Sequence, residues 1–131
     1  MKVHLRTASA SDLDEILAIE QACFEINRRS SRRSLANSLN SPMQQIWVAT
    51  VKPEESDQML AGGMILHHHV HTLRIYSLAV SDTFRGLGIG SKLLKQAHQL
   101  AVERRYDQLS LEADQSDERL VAWYESHGYQ I

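Results

Sequence analysis

Leu78-Ala79-Val80-Ser81-Asp82-Thr83-Phe84-Arg85-Gly86-Leu87-Gly88-Ile89-Gly90-Ser91-Lys92-Leu93-Leu94 decides the fold of this chain. An apolar strand run enters a turn with glycine at 86, 88 and 90, and the turn opens directly into the strongest helical pattern in the sequence. Glycines in such a turn let the backbone take positive φ and let a ligand reach the main chain without Cβ interference. The first N–H groups of a helix have no partner within it, and its N-terminus carries partial positive charge. A strand, glycine turn and helix in that order therefore predict a phosphate site that needs almost no side-chain charge. Two familiar phosphate loops do not fit. Gly90-Ser91-Lys92 reverses the Gly-Lys-Ser/Thr order of a P-loop. Glycines at 86, 88 and 90 give G-x-G-x-G, which is not the dinucleotide fingerprint.

Working outward, Ile89, Leu93, Leu94, Ala97, Leu100 and Ala101 share one face of a helix expected over 88–105. Upstream, 46–51, 60–66 and 73–80 have strand composition, and the charged turn 52–58 makes the first two a hairpin. Gly62 and Gly63 suggest a bulge or a close backbone approach within the return strand. Nearer the N-terminus, 3–6 reads as a strand and 12–24 as a helix capped by Ser11, with a short helix over 33–40 that Pro42 ends. The arginines between 28 and 33 read as a solvated link and helix start, with a phosphate or an acidic partner as the alternative. Downstream come a strand over 109–113, a helix over 117–127 closed by Gly128, and the start of a strand at 129–131. An antiparallel meander followed by strand-helix-strand-helix predicts an α/β layered domain with a mixed, mostly antiparallel sheet flanked by helices.

The 131 residues suit one domain, 1–131. A net charge of −2 provides no basic field for nucleic acid or an anionic membrane. Cys23 stands alone, no secretory segment is visible at the N-terminus, and no run approaches the ~20 apolar residues of a membrane span. A cytoplasmic location is the expectation. His67-His68-His69-Val70-His71 would place alternate imidazoles on one strand face, but ~6.6–6.8 Å apart along the strand, which is awkward for a single ion. No metal is expected there. A polar strand end, or one histidine lining a substrate cleft, fits the run better.

The glycine turn resembles the acetyl-CoA motif [Q/R]-x-x-G-x-[G/A] of the GNAT superfamily of N-acetyltransferases, matched at Arg85, Gly88 and Gly90. The flanks Leu78-Ala79-Val80 and Leu93-Leu94, the strand residues Leu111-Glu112, and Ala122 through Tyr129 match the family in order along nearly the whole chain. The resemblance implies acetyl-CoA as co-substrate. Main-chain atoms of Leu78, Ala79 and Val80 would pair with the pantetheine arm as an added strand. Amides of Gly86, Leu87, Gly88, Ile89, Gly90 and Ser91, beside Arg85, would hold the diphosphate. It also implies a bulge that splays this strand from the next, opening a gap for the thioester.

Two departures stand out. Asp117 occupies the place of a cofactor-contacting Asn, and an ionised carboxylate accepts but does not donate. The family's last hairpin strand is also missing before Ile131, so the expectation is truncation or a sheet edge supplied by a second protomer, a homodimer. By position Tyr124 matches the acid that protonates the departing thiolate. Glu112 matches the base of the amino-terminal protein acetyltransferases, the subgroup of closest pattern. These matches predict acetyl transfer to a primary amine, on a peptide N-terminus or a small molecule, by direct attack in a ternary complex. A non-catalytic acyl-CoA-binding module is the alternative.

Overall fold

The computed structural model describes residues 2–24, 29–54, 56–113 and 116–130. A five-stranded sheet runs in chain order: β1 (Val3–Thr7), β2 (Gln44–Val51), β3 (Met59–His68), β4 (Thr72–Val80) and β5 (Gln108–Leu111). The first four strands pair antiparallel and β5 lies parallel to β4. A parallel neighbour requires a crossover, and α3 (Ile89–Glu103) makes it. This is the mixed, mostly antiparallel architecture expected from the sequence.

Alternation along the strands divides the core into two layers. Ile46, Val48, Leu60 and Ile65 pack with Leu13, Ile16 and Leu35 of α1 (Leu13–Cys23) and α2 (Arg32–Asn40). On the opposite face Ala49, Met64, Leu66, Leu73 and Ile75 meet Ile89, Leu93, Leu94 and Ala97 of α3, the face read from its periodicity. There α4 (Glu118–Ser126) adds Trp123 and Tyr124 at the margin.

Several boundaries differ from the sequence reading. Ser11 does not cap α1: it lies in a short 3-10 turn, Ala10–Asp12, that Ser9 caps and that leads into α1. Buried Asp12 accepts the Ser9 N–H at 2.8 Å and both arms of the Arg6 guanidinium at 2.7 and 2.9 Å. That fork holds the Asp12 carboxyl below its ordinary range. The arginine link is structural where described. Arg29 donates to the carbonyls of Phe24 and Gln21 at the end of α1, and Arg32 pairs with Asp14. Asn27 and Arg28 lie outside the described residues. Near the loop 52–58, an extra residue, Ala61, shifts the β2–β3 register. The adjacent Gly62 is a close approach, since a Cβ there would stand 2.9 Å from the Ala79 carbonyl oxygen. Tyr129 and Gln130 form no strand, and Ile131 is outside the described residues.

β3 outlasts its apolar run because His68 is only 6% exposed and fully bonded. Its Nδ1 lies 2.6 Å from the Tyr106 hydroxyl and its Nε2 3.0 Å from Gln45 Oε1, so a neutral imidazole accepts from the first and donates to the second. Burial, aided by Arg104, pushes its pKa below 6.5. A base with a depressed folded pKa binds fewer protons folded than unfolded, so its stabilisation is complete above the unfolded value and falls as pH drops below it. The melting temperature is therefore expected to decline below about pH 6.5. His67, shifted the same way, contributes to the slope, so His68→Gln should flatten the decline in part. Equal slopes in parent and variant would assign the titration to other groups.

Candidate active site

The site begins where β4 leaves β5. Their pairing runs from Thr72–Gln108 to Ile75–Leu111, while β4 continues to Val80. The cause is a bulge: Ile75 pairs with Leu66 and Ser77 with Ile65, so Tyr76 is the extra residue. Past the bulge the alternation fixes which main-chain groups face the gap. The Ser81 N–H donates to Ala61 on the β3 side at 2.7 Å, so Ala79 also turns its peptide groups toward β3, while Leu78 and Val80 turn theirs toward the gap. The Cys23 thiol, donating to the Val80 carbonyl at 3.3 Å, marks that direction. Ala79 thus departs from its expected place in a three-residue ladder: its side chain faces α1 and its peptide belongs to the sheet.

The glycine turn follows, after the short helical turn Asp82–Phe84. Gly86 and Gly88 sit at φ +86° and +75°, and neither has an atom within 4 Å of where a Cβ would lie. Glycine is required there by backbone conformation, and the outer surface of the turn is open. Gly88 caps α3 in the left-handed region without a side-chain cap bond, and the first turn carries no acidic residue. Among the described residues, the N–H groups of Gly86, Leu87, Gly88, Ile89, Gly90 and Ser91 have no acceptor in the chain. They form a cluster of free donors at the foot of the split. The Arg85 side chain lies outside it, paired with Asp82 at 2.8 Å.

The last helix closes one side of the turn. A Cβ on Gly90 would stand 3.1 Å from the Trp123 ring, so Trp123 packs directly against the first turn of α3. Its neighbour Tyr124 lines an open trough of about 810 Å³ along the outer side of β5, with Ser110, Leu111, Glu112 and Tyr129. Burial raises the Tyr124 pKa above its ordinary value of 10.0, so the phenol stays protonated at neutral pH. Its hydroxyl has no hydrogen-bond partner among the described residues.

Glu112 lies one residue beyond β5 because the pairing stops at Leu111. It reaches the same trough, but its exposed carboxylate is 3.1 Å from Arg74 Nη2. Asp117 is occupied differently from the expected cofactor contact. It is the N-cap of α4, accepting the Leu120 N–H at 3.1 Å.

The histidine run divides by environment rather than by face. His67 stacks on Tyr76 at 4.4 Å between centroids, His68 is buried, and His71 lies 3.4 Å from Asp107. Among the described residues no group of three His, Cys, Asp or Glu is placed to hold a metal. Sequence reasoning missed Glu20. Its carboxylate, 3% exposed, accepts from the Ser30 N–H and hydroxyl, and burial pushes its pKa upward. With Ser77 and Ala79 it lines a small apolar cavity beside β4. Its place four residues after Ile16, on the same face of the helix read over 12–24, was the available signal.

A sheet split after a bulge, with free main-chain donors at the mouth of the crossover helix, is the architecture of an acyl-CoA-dependent transferase fold. Residues 13–129 match the model of the Acetyltransferase (GNAT) family. The chain belongs to that family, whose members are acyltransferases with acetyl-CoA as co-substrate. It is 25% identical over 126 residues to a mycothiol acetyltransferase of Jonesia denitrificans, covering 91% of this chain and 40% of that protein. The chain thus spans about two-fifths of that relative's length.

Among solved structures, the ribosomal-protein-S18-alanine N-acetyltransferase of Escherichia coli superposes with a TM-score of 0.81 at 20% identity, covering 98% of this chain and 78% of that one. An aminoglycoside acetyltransferase from an uncultured soil metagenomic sample gives 0.76 at 22% identity, covering 98% and 91%. These two likenesses show a shared fold. The named acceptors differ among the relatives, so the narrower affinity to amino-terminal acetyltransferases is not established. No helix among the described residues is long and apolar enough to cross a membrane.

Proposed function

We propose that this chain transfers an acetyl group from acetyl-CoA to a primary amine by direct attack in a ternary complex. The observation that carries the reading is the set of unpartnered N–H groups from Gly86 to Ser91 at the foot of the β4–β5 split. In this reading they hold the diphosphate, and the gap-facing peptide groups of Leu78 and Val80 pair with the pantetheine arm. The amine nitrogen attacks the thioester carbonyl, the C–N bond forms and the C–S bond breaks. Glu112, held 3.1 Å from Arg74 Nη2, takes the ammonium proton directly or through water. The Tyr124 hydroxyl gives a proton to the departing thiolate. The acceptor is a peptide or protein N-terminus or a small amine. An α-amine, with pKa about 7.7–8.0, needs less help from a base than a lysine-like amine near 10.4.

One observation favours a binding module without turnover: the exposed Glu112 carboxylate is already paired with Arg74. The two readings separate on thiol release from acetyl-CoA over a panel of peptides and small amines. Turnover is expected, with Glu112→Gln lowering kcat about 10²-fold and leaving cofactor affinity unchanged. Cofactor binding with no turnover on any amine would support the module, and binding of neither acetyl-CoA nor CoA would end both readings. Among the described residues β5 is one of the two sheet edges, with β1 the other, and a second copy of the chain is one way to cover it.

A further inference from the structure

The last turn of α4 is joined to the first turn of α3 through a histidine that the proposed reaction does not use. His127 Nδ1 lies 2.7 Å from the Trp123 carbonyl oxygen, which can only accept, so Nδ1 carries a hydrogen. In the neutral ring Nε2 is then a bare acceptor, and the Ser91 hydroxyl, 2.8 Å away, donates to it. Ser91 is the third residue of α3 and its N–H belongs to the cluster of free donors. With its proton committed to His127, the hydroxyl offers only lone pairs to an anion at the turn. Protonation of the ring reverses the bond. Nε2–H then donates to Ser91 Oγ, the serine proton is freed to face the diphosphate, and a positive charge stands one hydrogen bond behind it.

The groups around His127 make this exchange self-contained. Ser91 contacts it from α3. From α4 come the Trp123 ring, 4.5 Å away between centroids, and the Ser126 hydroxyl, 3.2 Å from Nδ1. Exposed Lys92, next to Ser91, and exposed Glu125, two residues before His127, are the charged side chains adjoining the pair in sequence, and neither bonds to the imidazole. Trp123, fixed against Gly90, holds the histidine's carbonyl partner in place.

We propose that His127 is a positioning residue whose protonation turns the Ser91 hydroxyl into a diphosphate donor, coupling cofactor affinity to pH. The inference rests on the diphosphate reading of the turn. Imidazole is the side chain whose ordinary titration falls between about pH 5 and 8, and the coupling is sought across that interval.

Dephospho-CoA is the suitable probe. It keeps the diphosphate but lacks the 3′-phosphomonoester, a group whose own second ionisation, near pKa 6, would confuse the result. Calorimetry should show binding about fivefold tighter near pH 5.5 than near pH 8, the difference between a neutral and a charge-assisted hydrogen bond. Titrations in two buffers of different ionisation enthalpy should show net proton uptake on binding. His127→Gln keeps a donor to Ser91 but cannot titrate, so both the slope and the proton uptake should vanish. Ser91→Ala should reduce the slope. A pH-independent parent, or a slope that survives in His127→Gln, would overturn the proposal. If dephospho-CoA binds at no pH, the diphosphate reading falls and takes this inference with it.

Discussion

Tyr124→Phe is expected to lower kcat for acetyl transfer about 10²–10³-fold while leaving acetyl-CoA affinity and melting temperature close to those of the parent. The phenol is half-buried on α4, and its pKa is raised by desolvation, so it retains its proton throughout the neutral range. An acid must arrive protonated, and this one does. Its hydroxyl has no protein partner among the described residues, so removing it orphans no buried donor or acceptor. The ring contacts with Trp123 and Tyr129, at 5.1 and 5.8 Å between centroids, survive in phenylalanine. Steady-state kinetics with acetyl-CoA varied at saturating amine, beside a thermal melt, separates chemistry from packing. A loss confined to KM, or a melting temperature that falls with activity, would make Tyr124 a packing residue.

Gly88→Val should weaken acetyl-CoA binding about 10²-fold, the loss of roughly two hydrogen bonds to a charged group. The position sits at φ +75° as the N-cap of α3. A β-branched residue is a true outlier there, and the left-handed conformation costs about 1–2 kcal/mol for an L-residue. Space is not the obstacle, because nothing lies within 4 Å of the Cβ position. The strain can be relieved only by rotating the flanking peptides, which re-aims the N–H groups of Gly88, Ile89 and Gly90. Gly88→Asn, which tolerates positive φ, should bind between glycine and valine. Calorimetry with CoA measures the series, and an unchanged Kd in the valine variant would mean that the diphosphate is held elsewhere.

The two variants probe parts of the site that were legible to different degrees. The turn was readable because its requirement is local: glycine at 86 and 88 supplies the two positive φ angles, and the apolar face of Ile89, Leu93 and Leu94 that follows commits α3 to the sheet. The antiparallel meander of β2, β3 and β4 followed from the short connections between apolar runs. The reading erred where a residue's role depends on a distant one. Glu112 leaves its expected strand because Tyr76, on another strand, bulges. Ala79 turns its peptide away from the gap because that same bulge shifts the alternation by one. Asp117 is taken by its own helix's first turn, a local contact that adds to the missing donor already legible in the sequence. His68 extends β3 because Tyr106 and Gln45, on either side of it in the chain, satisfy both ring nitrogens.

Backbone stereochemistry and side-chain periodicity, which act over a few residues, were enough to specify a mixed sheet, its crossover helix and the glycine turn that opens it. The split between β4 and β5, the peptide groups that line it, and the Ser91–His127 contact arise from pairing and packing between segments far apart in the chain. Such contacts have no local signature, because a bulge or a hydrogen bond across elements is set by the partner that folding brings alongside.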